Sequence, residues 1–395
     1  MSEWIPQRPE DLTPTWLDEA LRGAGYLKES RVVGLRVESI GEGLGFVGQV
    51  LRLRPEYDRP EAGAPASLIA KLPGTLAKNR GAVEAGQGFE REIRFFRDLA
   101  SECALATPRC YLTLMDADPK EANRERDRER LEKLPLWLIG LLTSLGTRLA
   151  GYSRRRYLLL IEDLAPRPVG DQIAGCTYEQ ALPVARDLAQ LHASFWGDPR
   201  LANEWAWLPR LNGSPRLARA IYRQGRPRFL KECGEFLPAG FMQAMDWVQE
   251  NVEAVLDAIA APPCTLLHGD YRLDNLLFSE EETFAVDWQS VAQGRGVLDW
   301  AYFALGSLHE SCGEAEEESL LTEYHGSLRA RGISDYGAAE CRRDYDLCKL
   351  AVAYGNVAAA HLIDIDGERG ERLLRLIRSR LSHRMPSPPW DRLLQ

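Results

Sequence analysis

His268-Gly269-Asp270-Tyr271-Arg272-Leu273-Asp274-Asn275-Leu276-Leu277-Phe278, followed by Phe284-Ala285-Val286-Asp287-Trp288, is the stretch that decides how this chain folds. It reads His-x-Asp, then an Asn five residues after that Asp, then an apolar run ending in a second Asp. The spacing suits phosphoryl transfer. A base must sit beside an attacking hydroxyl, and hard oxygen ligands must reach a magnesium ion that bridges phosphates. A loop between two short strands, near 275–278 and 283–287, places these groups on one side of a cleft. Asp270 is the candidate base, and Asn275 and Asp287 are the candidate magnesium ligands. Because the transition state is loose, positioning and charge neutralisation matter more than strong basicity. Arg272, two residues past the base, is a candidate cation for the transferring group. His268 reads as a prop for the loop. Taken singly, each of these residues also reads as a turn or a strand end. Their joint spacing carries the assignment.

Upstream, Gly43-Leu44-Gly45-Phe46-Val47-Gly48-Gln49-Val50 fits G-x-G-x-x-G-x-V, a turn whose backbone N–H groups cover nucleotide phosphates. Glycine clusters often make a plain hairpin. This one lies between two strand-like runs, whereas a dinucleotide fingerprint joins a strand to a helix. No Gly-Lys-Ser/Thr follows, which excludes a Walker A loop. Gly43, Gly45 and Gly48 are therefore candidate nucleotide-binding residues. Lys71 lies in the apolar run Leu68-Ile69-Ala70-Lys71, and a buried Lys needs a partner. Glu92, between Phe89 and Phe96 on a helical pattern, is the first candidate and Glu90 the second. Such a pair holds the Lys against nucleotide phosphates; the alternative is a solvated Lys on an edge strand. Leu158 to Leu164 reads as a hinge, with the backbone of Glu162 and Leu164 placed to meet an adenine.

The order of elements is strands first, then helices, which argues for an α+β protein. Strands are expected at 32–40, 49–53, 67–72, 110–115 and 157–161, with a capped helix after Thr13 and another over 89–99. Helices are expected at 178–196, 214–233, 239–260, 296–309, 315–331, 338–363 and 369–382. The division is 1–164 for a nucleotide-binding lobe and 165–395 for a lobe with the catalytic loop and acceptor site. The first lobe carries an insertion at about 116–156, too long to be a structureless loop. It reads as a helical cap, an amphipathic segment touching a membrane surface through 134–146, or a dimer contact.

Composition is compatible with this picture. The chain has 395 residues, 45% of them apolar, and a net charge of −9, which disfavours a nucleic-acid partner. Its eight cysteines form no Cys-x-x-Cys pair and no zinc spacing, as expected of reduced thiols. The N-terminus has no signal pattern and the longest apolar run, 134–145, is too short to span a bilayer, so a cytoplasmic protein is expected.

The motifs resemble the aminoglycoside phosphotransferase and choline kinase superfamily. His268–Phe278, Val286-Asp287-Trp288-Gln289 and Gly294-Arg295-Gly296-Val297-Leu298-Asp299-Trp300-Ala301-Tyr302 are most similar to its ecdysteroid-kinase-like branch and bacterial relatives. Leu188 to Trp196 resembles the helix that branch carries before its catalytic loop. The resemblance spans roughly 35–365. It implies a protein-kinase-like bilobal fold: an antiparallel five-stranded sheet plus helix, a hinge and a mostly helical second lobe. It also implies ATP and Mg2+ as cofactors, Asp270 as base, Asn275 and Asp287 as metal ligands, and Lys71 with Glu92 as the ion pair. Few residues separate Asp287 from Asp299, and no Ala-Pro-Glu follows, so a small-molecule alcohol is expected as acceptor rather than a protein. Phe195, Trp196, Trp205 and Trp207 are candidates for an apolar acceptor pocket, and the insertion for its outer wall. The acidic run Glu314 to Glu318 keeps an aminoglycoside or macrolide acceptor open as an alternative. A nucleotide-binding module without catalysis is the alternative of another class. Asp299 reads as an anchor for the helix that starts near 297.

Overall fold

The computed structural model describes residues 4–40, 48–238, 240–279, 282–361 and 384–395, together with 372, 375, 376 and 380. Gly43, Gly45 and most of the helix expected at 369–382 lie outside these residues.

The five expected strands are present: β1 (Val32–Ile40), β2 (Gly48–Tyr57), β3 (Leu68–Pro73), β4 (Cys110–Met115) and β5 (Tyr157–Glu162). They form one sheet in the order β1-β2-β3-β5-β4, antiparallel at every pairing. Ahead of them runs α1 (Pro14–Gly23), whose Thr13 side chain accepts the Trp16 N–H as an N-cap. Between β3 and β4 lie α2 (Ala77–Ala85), which has no counterpart in the sequence reading, and α3 (Gly88–Asp98). Side chains alternate across the sheet. Leu68, Ala70, Leu72, Leu158 and Leu160 pack with Leu17 and Leu21 of α1. Ile69, Leu159 and Ile161 pack with Phe95 and Phe96 of α3. Both faces of β3 and β5 are covered, so these strands read as nearly continuous apolar runs.

The insertion leaves the β4–β5 hairpin through a clamped neck. Asp116 N–H donates to the Arg156 carbonyl at 3.0 Å, and the two side chains form an ion pair at 2.8 Å. It is helical: α4 (Arg124–Glu132) and α5 (Leu136–Ala150). A Cβ on Gly81 of α2 would meet the Thr147 carbonyl at 2.1 Å, so α2 and α5 meet backbone to backbone. Glu90 and Arg155 pair at 3.2 Å and Glu90 and Arg124 at 2.5 Å, fastening the insertion to α3.

The second half is built from α6 (Tyr178–Ser194), α7 (Pro215–Cys233), α8 (Phe241–Ile259), α9 (Val297–Ser307), α10 (Glu314–Ala330) and α11 (Ala338–Ala359). Glu132 accepts the Arg216 and Leu217 N–H groups at 2.9 Å each, capping α7 from the insertion. Between α8 and α9 lie β6 (Thr265–Leu267), β7 (Leu276–Phe278), β8 (Thr283–Ala285) and β9 (Ala292–Gly294). They form two small ribbons, β6–β9 and β7–β8. The β7–β8 ribbon matches the expectation; the β6–β9 ribbon is additional.

Candidate active site

Lys71 shares the α3-facing side of β3 with Ile69, because the two are separated by one strand period. Its Nζ donates to Glu92 Oε1 at 2.5 Å and lies 3.8 Å from Asp287 Oδ1. Burial opposes the charge on Lys71, but Glu92 and then Asp287 outweigh it and hold its pKa above the ordinary value. Burial in turn lifts the Glu92 carboxyl. Glu90, the second candidate, is committed to Arg124, Arg94 and Arg155 instead.

Asp287 follows β8 and has φ 67° and ψ 65°, the left-handed region that Asp enters more readily than most residues. Trp288 stacks on Phe95 with ring centroids 3.8 Å apart and planes at 7°. Phe95 lies three residues after Glu92, so one face of α3 fixes both Lys71 and the segment carrying Asp287.

The candidate catalytic loop starts where β6 ends. His268 is fully buried. Its Nε2–H donates to the Val286 carbonyl at 3.1 Å, and its Nδ1 accepts the Asp270 N–H at 3.3 Å. These partners fix one neutral tautomer, and burial pushes the imidazole pKa down. His268 thus ties the Asp270 turn to the strand end before Asp287. Gly269 has φ +78°, and a Cβ there would lie 2.2 Å from the Ser290 carbonyl, so only glycine fits.

Asp299 sits in the first turn of α9, yet it does not cap that helix. Its carboxylate accepts the His268 N–H at 2.7 Å and the Gly269 N–H at 2.9 Å. The expectation that it anchors its own helix is corrected: it anchors the His268–Gly269 turn. One turn later Tyr302 donates its hydroxyl proton to Asp270 Oδ1 at 2.8 Å. Tyr302 was missed in the sequence, although Asp299-x-x-Tyr302 is a same-face helical pair.

Asn275 Nδ2 donates to the Asp270 carbonyl at 2.8 Å and to Asp270 Oδ2 at 2.9 Å. This fixes the amide orientation and leaves Oδ1 without a hydrogen bond among the described residues. Arg272 Nε lies 3.3 Å from Asp270 Oδ1, and its NH1 donates to Asp274 Oδ2 at 3.0 Å. Burial works against its charge, but Asp270, Tyr302 and Asp274 hold its pKa above the ordinary arginine value. Asp270, Arg272 and Asn275 therefore form one cluster, and Lys71, Glu92 and Asp287 another, with His268 bridging the two loop ends.

At the hinge, the Glu162 N–H is taken by the Arg109 carbonyl at 2.8 Å, and the Glu162 carboxylate accepts the Arg109 N–H at 3.1 Å. The Leu164 carbonyl accepts the Arg167 N–H at 3.0 Å. The Leu164 N–H makes no hydrogen bond among the described residues. Asp163 holds Arg52 at 2.7 Å and Ser67 at 2.5 Å, pinning the hinge to β2 and the start of β3. Gly48 opens β2 opposite Pro73.

An apolar cavity of about 430 Å³ opens beside the loop. Gly269 and Tyr302 line it together with Ala218 and Ile221 of α7, Leu256 of α8 and Tyr354 of α11. The aromatic residues expected there are elsewhere. Phe195 and Trp205 are buried core, packed edge to face at 5.8 Å. Trp196 packs on Tyr336, and Trp207 lies under Arg94. The cavity lining includes no residue of 116–156 either, so the insertion stands behind α7 rather than forming the wall. In the acidic run, Glu317 is buried and binds Lys349 at 3.2 Å and Arg384 at 2.8 Å, a structural use.

A five-stranded antiparallel sheet carrying a Lys–Glu pair to a neighbouring helix, joined to a helical half that holds the His268–Asp287 loop, is the protein-kinase-like fold. Within it, the sequence profile of the ecdysteroid kinase-like family matches residues 216–332, from α7 through the loop to the end of α10. The resemblance read from the motifs is borne out over that segment. Among solved structures, the chain resembles choline kinase from Cryptosporidium parvum Iowa II at 10% identity, covering 88% of this chain and 87% of that one, with a TM-score of 0.48. It also resembles a macrolide 2'-phosphotransferase from Brachybacterium faecium at 18% identity, covering 90% and 99%, with a TM-score of 0.42. No curated protein matches the sequence.

Proposed function

We propose that this protein is an ATP- and magnesium-dependent phosphotransferase acting on a hydroxyl of a small, apolar molecule. The observation that carries the proposal is the position of Asp270. Its carboxylate is held by Tyr302 and Asn275, and Tyr302 also lines the apolar cavity. A hydroxyl presented from the cavity beside Tyr302 would lie near a base that the Tyr302 hydroxyl contacts at 2.8 Å.

The donor set suits magnesium. Among the described residues no cluster of three His, Cys, Asp or Glu forms an all-protein metal centre. Two oxygen donors, Asn275 Oδ1 and the Asp287 carboxylate, match an ion that takes its other ligands from phosphates and water. Bound there, magnesium supplies charge neutralisation on the nucleotide phosphates. Lys71, kept protonated by Glu92, binds phosphate oxygens from the other side. The glycine motif at Gly43, Gly45 and Gly48 is assigned to the phosphates and the Leu164 N–H to the base, since the Glu162 N–H is already taken by the Arg109 carbonyl. Asp270 accepts the proton of the acceptor hydroxyl. Arg272 balances charge beside it. In this reading residues 1–164 serve the nucleotide and 165–395 the acceptor.

The apolar lining favours an aliphatic or polycyclic alcohol over a polycationic aminoglycoside. The test is product mass spectrometry with ATP and magnesium across a panel of apolar alcohols and aminoglycosides. Phosphorylated apolar alcohols are expected. Phosphorylated aminoglycosides alone would overturn the acceptor assignment. ATP binding with no product across the panel would overturn catalysis and leave a binding module.

A further inference from the structure

Helix α5 carries its apolar side chains outward. Trp137, Leu141, Leu145 and Leu149 recur every four residues and form one stripe. They are 71%, 56%, 50% and 64% exposed. Tyr152, just past the helix, is 77% exposed. The opposite side is committed to the protein: Ile139 is buried, and Gln224 of α7 donates to the Gly140 carbonyl and to the Ser144 hydroxyl. Scattered exposed leucines are ordinary on a protein surface, whereas a contiguous stripe marks a contact face.

The charge carried by the segment itself has one sign. From Lys133 to Arg156 the sequence contains five basic residues and no Asp or Glu. Arg155 and Arg156 turn inward, to Glu90 and Asp116. Lys133, Arg148 and Arg154 are exposed and form no ion pair among the described residues. Arg148 lies two helical turns after Leu141 and therefore on the same face.

We propose that this face docks on an anionic lipid bilayer, with α5 lying in the plane of the interface. The leucines enter the edge of the apolar layer. Trp137 and Tyr152, one near each end of the helix, suit the headgroup level. The three free cations meet anionic headgroups. No described helix is long and apolar enough to cross a membrane, so the contact is peripheral. A second copy of the chain fits less well. Pairing two such stripes would bury two Arg148 side chains with no carboxylate on the segment to meet them. Helix α7 touches both α5 and the apolar cavity, so docking would bring the cavity wall toward a lipid phase in which apolar alcohols collect. That consequence rests on the proposed function; the docking itself does not.

The test is co-sedimentation of the full chain with phosphatidylcholine vesicles, with and without one-third phosphatidylglycerol. Sedimentation velocity without lipid runs in parallel. About tenfold stronger partitioning onto the anionic vesicles is expected, weakened by salt. Leu141→Glu with Leu145→Glu should abolish it while the thermal melt stays that of the wild type. Arg148→Glu with Arg154→Glu should reduce binding to the level of neutral vesicles. The proposal is overturned if folded wild-type protein binds neither vesicle. It is also overturned if the wild type forms a dimer without lipid that the Leu141→Glu/Leu145→Glu variant dissolves.

Discussion

Between His268 and Trp288, most polar side chains are at least half-buried and partnered, with Tyr271 Oη and Asn275 Oδ1 as exceptions; along α5, leucines and a tryptophan are exposed. In the loop, His268 is closed off from solvent yet both ring nitrogens have partners, and Asp299 receives two backbone N–H groups. On α5 the apolar stripe faces outward, and Lys133, Arg148 and Arg154 form no ion pair among the described residues. The ordinary rule of apolar inside and polar outside is reversed in both places. In the loop the reversal is stabilised inside the molecule, because an unsatisfied buried group is costly. On α5 the stripe has no cover among the described residues, which is the basis for the lipid contact proposed above. A buried, largely satisfied polar cluster holds its groups in place; an exposed apolar stripe gains nothing from the described residues around it.

Variants in the two regions should behave differently. The largest effect is expected for Asp299→Ala, which strands the buried His268 N–H and the half-buried Gly269 N–H that now donate to a carboxylate. Urea unfolding should show a loss of about 3 kcal/mol, with kcat reduced and nucleotide affinity nearly unchanged. A loss within experimental error would break the claim that the loop is held from α9. Lys71→Met comes next. It leaves Glu92 buried without its cation and should cost about 2–3 kcal/mol, less than a fully enclosed pair because the Lys lies at a cleft. Adding Glu92→Leu should recover much of that stability while activity stays lost.

His268 gives a smaller, pH-dependent effect. Its folded pKa lies below the ordinary 6.5 because of burial, so the unfolded chain takes up the proton first as pH falls. Its contribution is fully present above about pH 6.5 and is lost as pH drops from there toward the folded value. Melting temperatures of wild type and His268→Asn between pH 7.5 and pH 5, values chosen around the histidine range, should therefore converge toward acid. His361, also depressed by burial, leaves a residual slope in both. The smallest effect belongs to α5. Leu141→Glu should change stability by no more than about 0.5 kcal/mol. A larger loss would mean that the stripe is packed against the chain and would remove the contrast with the loop.

Much of this arrangement was legible in the sequence, where the signal was local. Asp270, Asn275 and Asp287 are fixed by spacing within one loop. Lys71 follows from strand alternation, and Glu92 from the face of a strongly amphipathic helix. Helix α2 was not legible, because its nine residues include a glycine and only a weak apolar pattern. The β6 and β9 strands are three residues each, too short for periodicity to register. The roles of Asp299 and Tyr302 depend on where α9 lies against the loop, which no local pattern encodes. The same holds for the cavity. Phe195 and Trp205 have the composition of a pocket wall, but which side of the core they face is a tertiary fact. Helices in the insertion were foreseeable, whereas the outward direction of the α5 stripe emerged only once α2 and α7 were seen to cover its other side.

The central claim is that Asp270 accepts a proton from a hydroxyl presented by the apolar cavity. The most direct measurement compares wild type with Asp270→Asn in single-turnover assays with ATP, magnesium and a phosphorylatable apolar alcohol. Nucleotide binding is followed separately. The account predicts a fall in the chemical step of about 10²–10⁴-fold with nucleotide affinity and melting temperature close to wild type. An Asp270→Asn protein that transfers phosphate at the wild-type rate would contradict it.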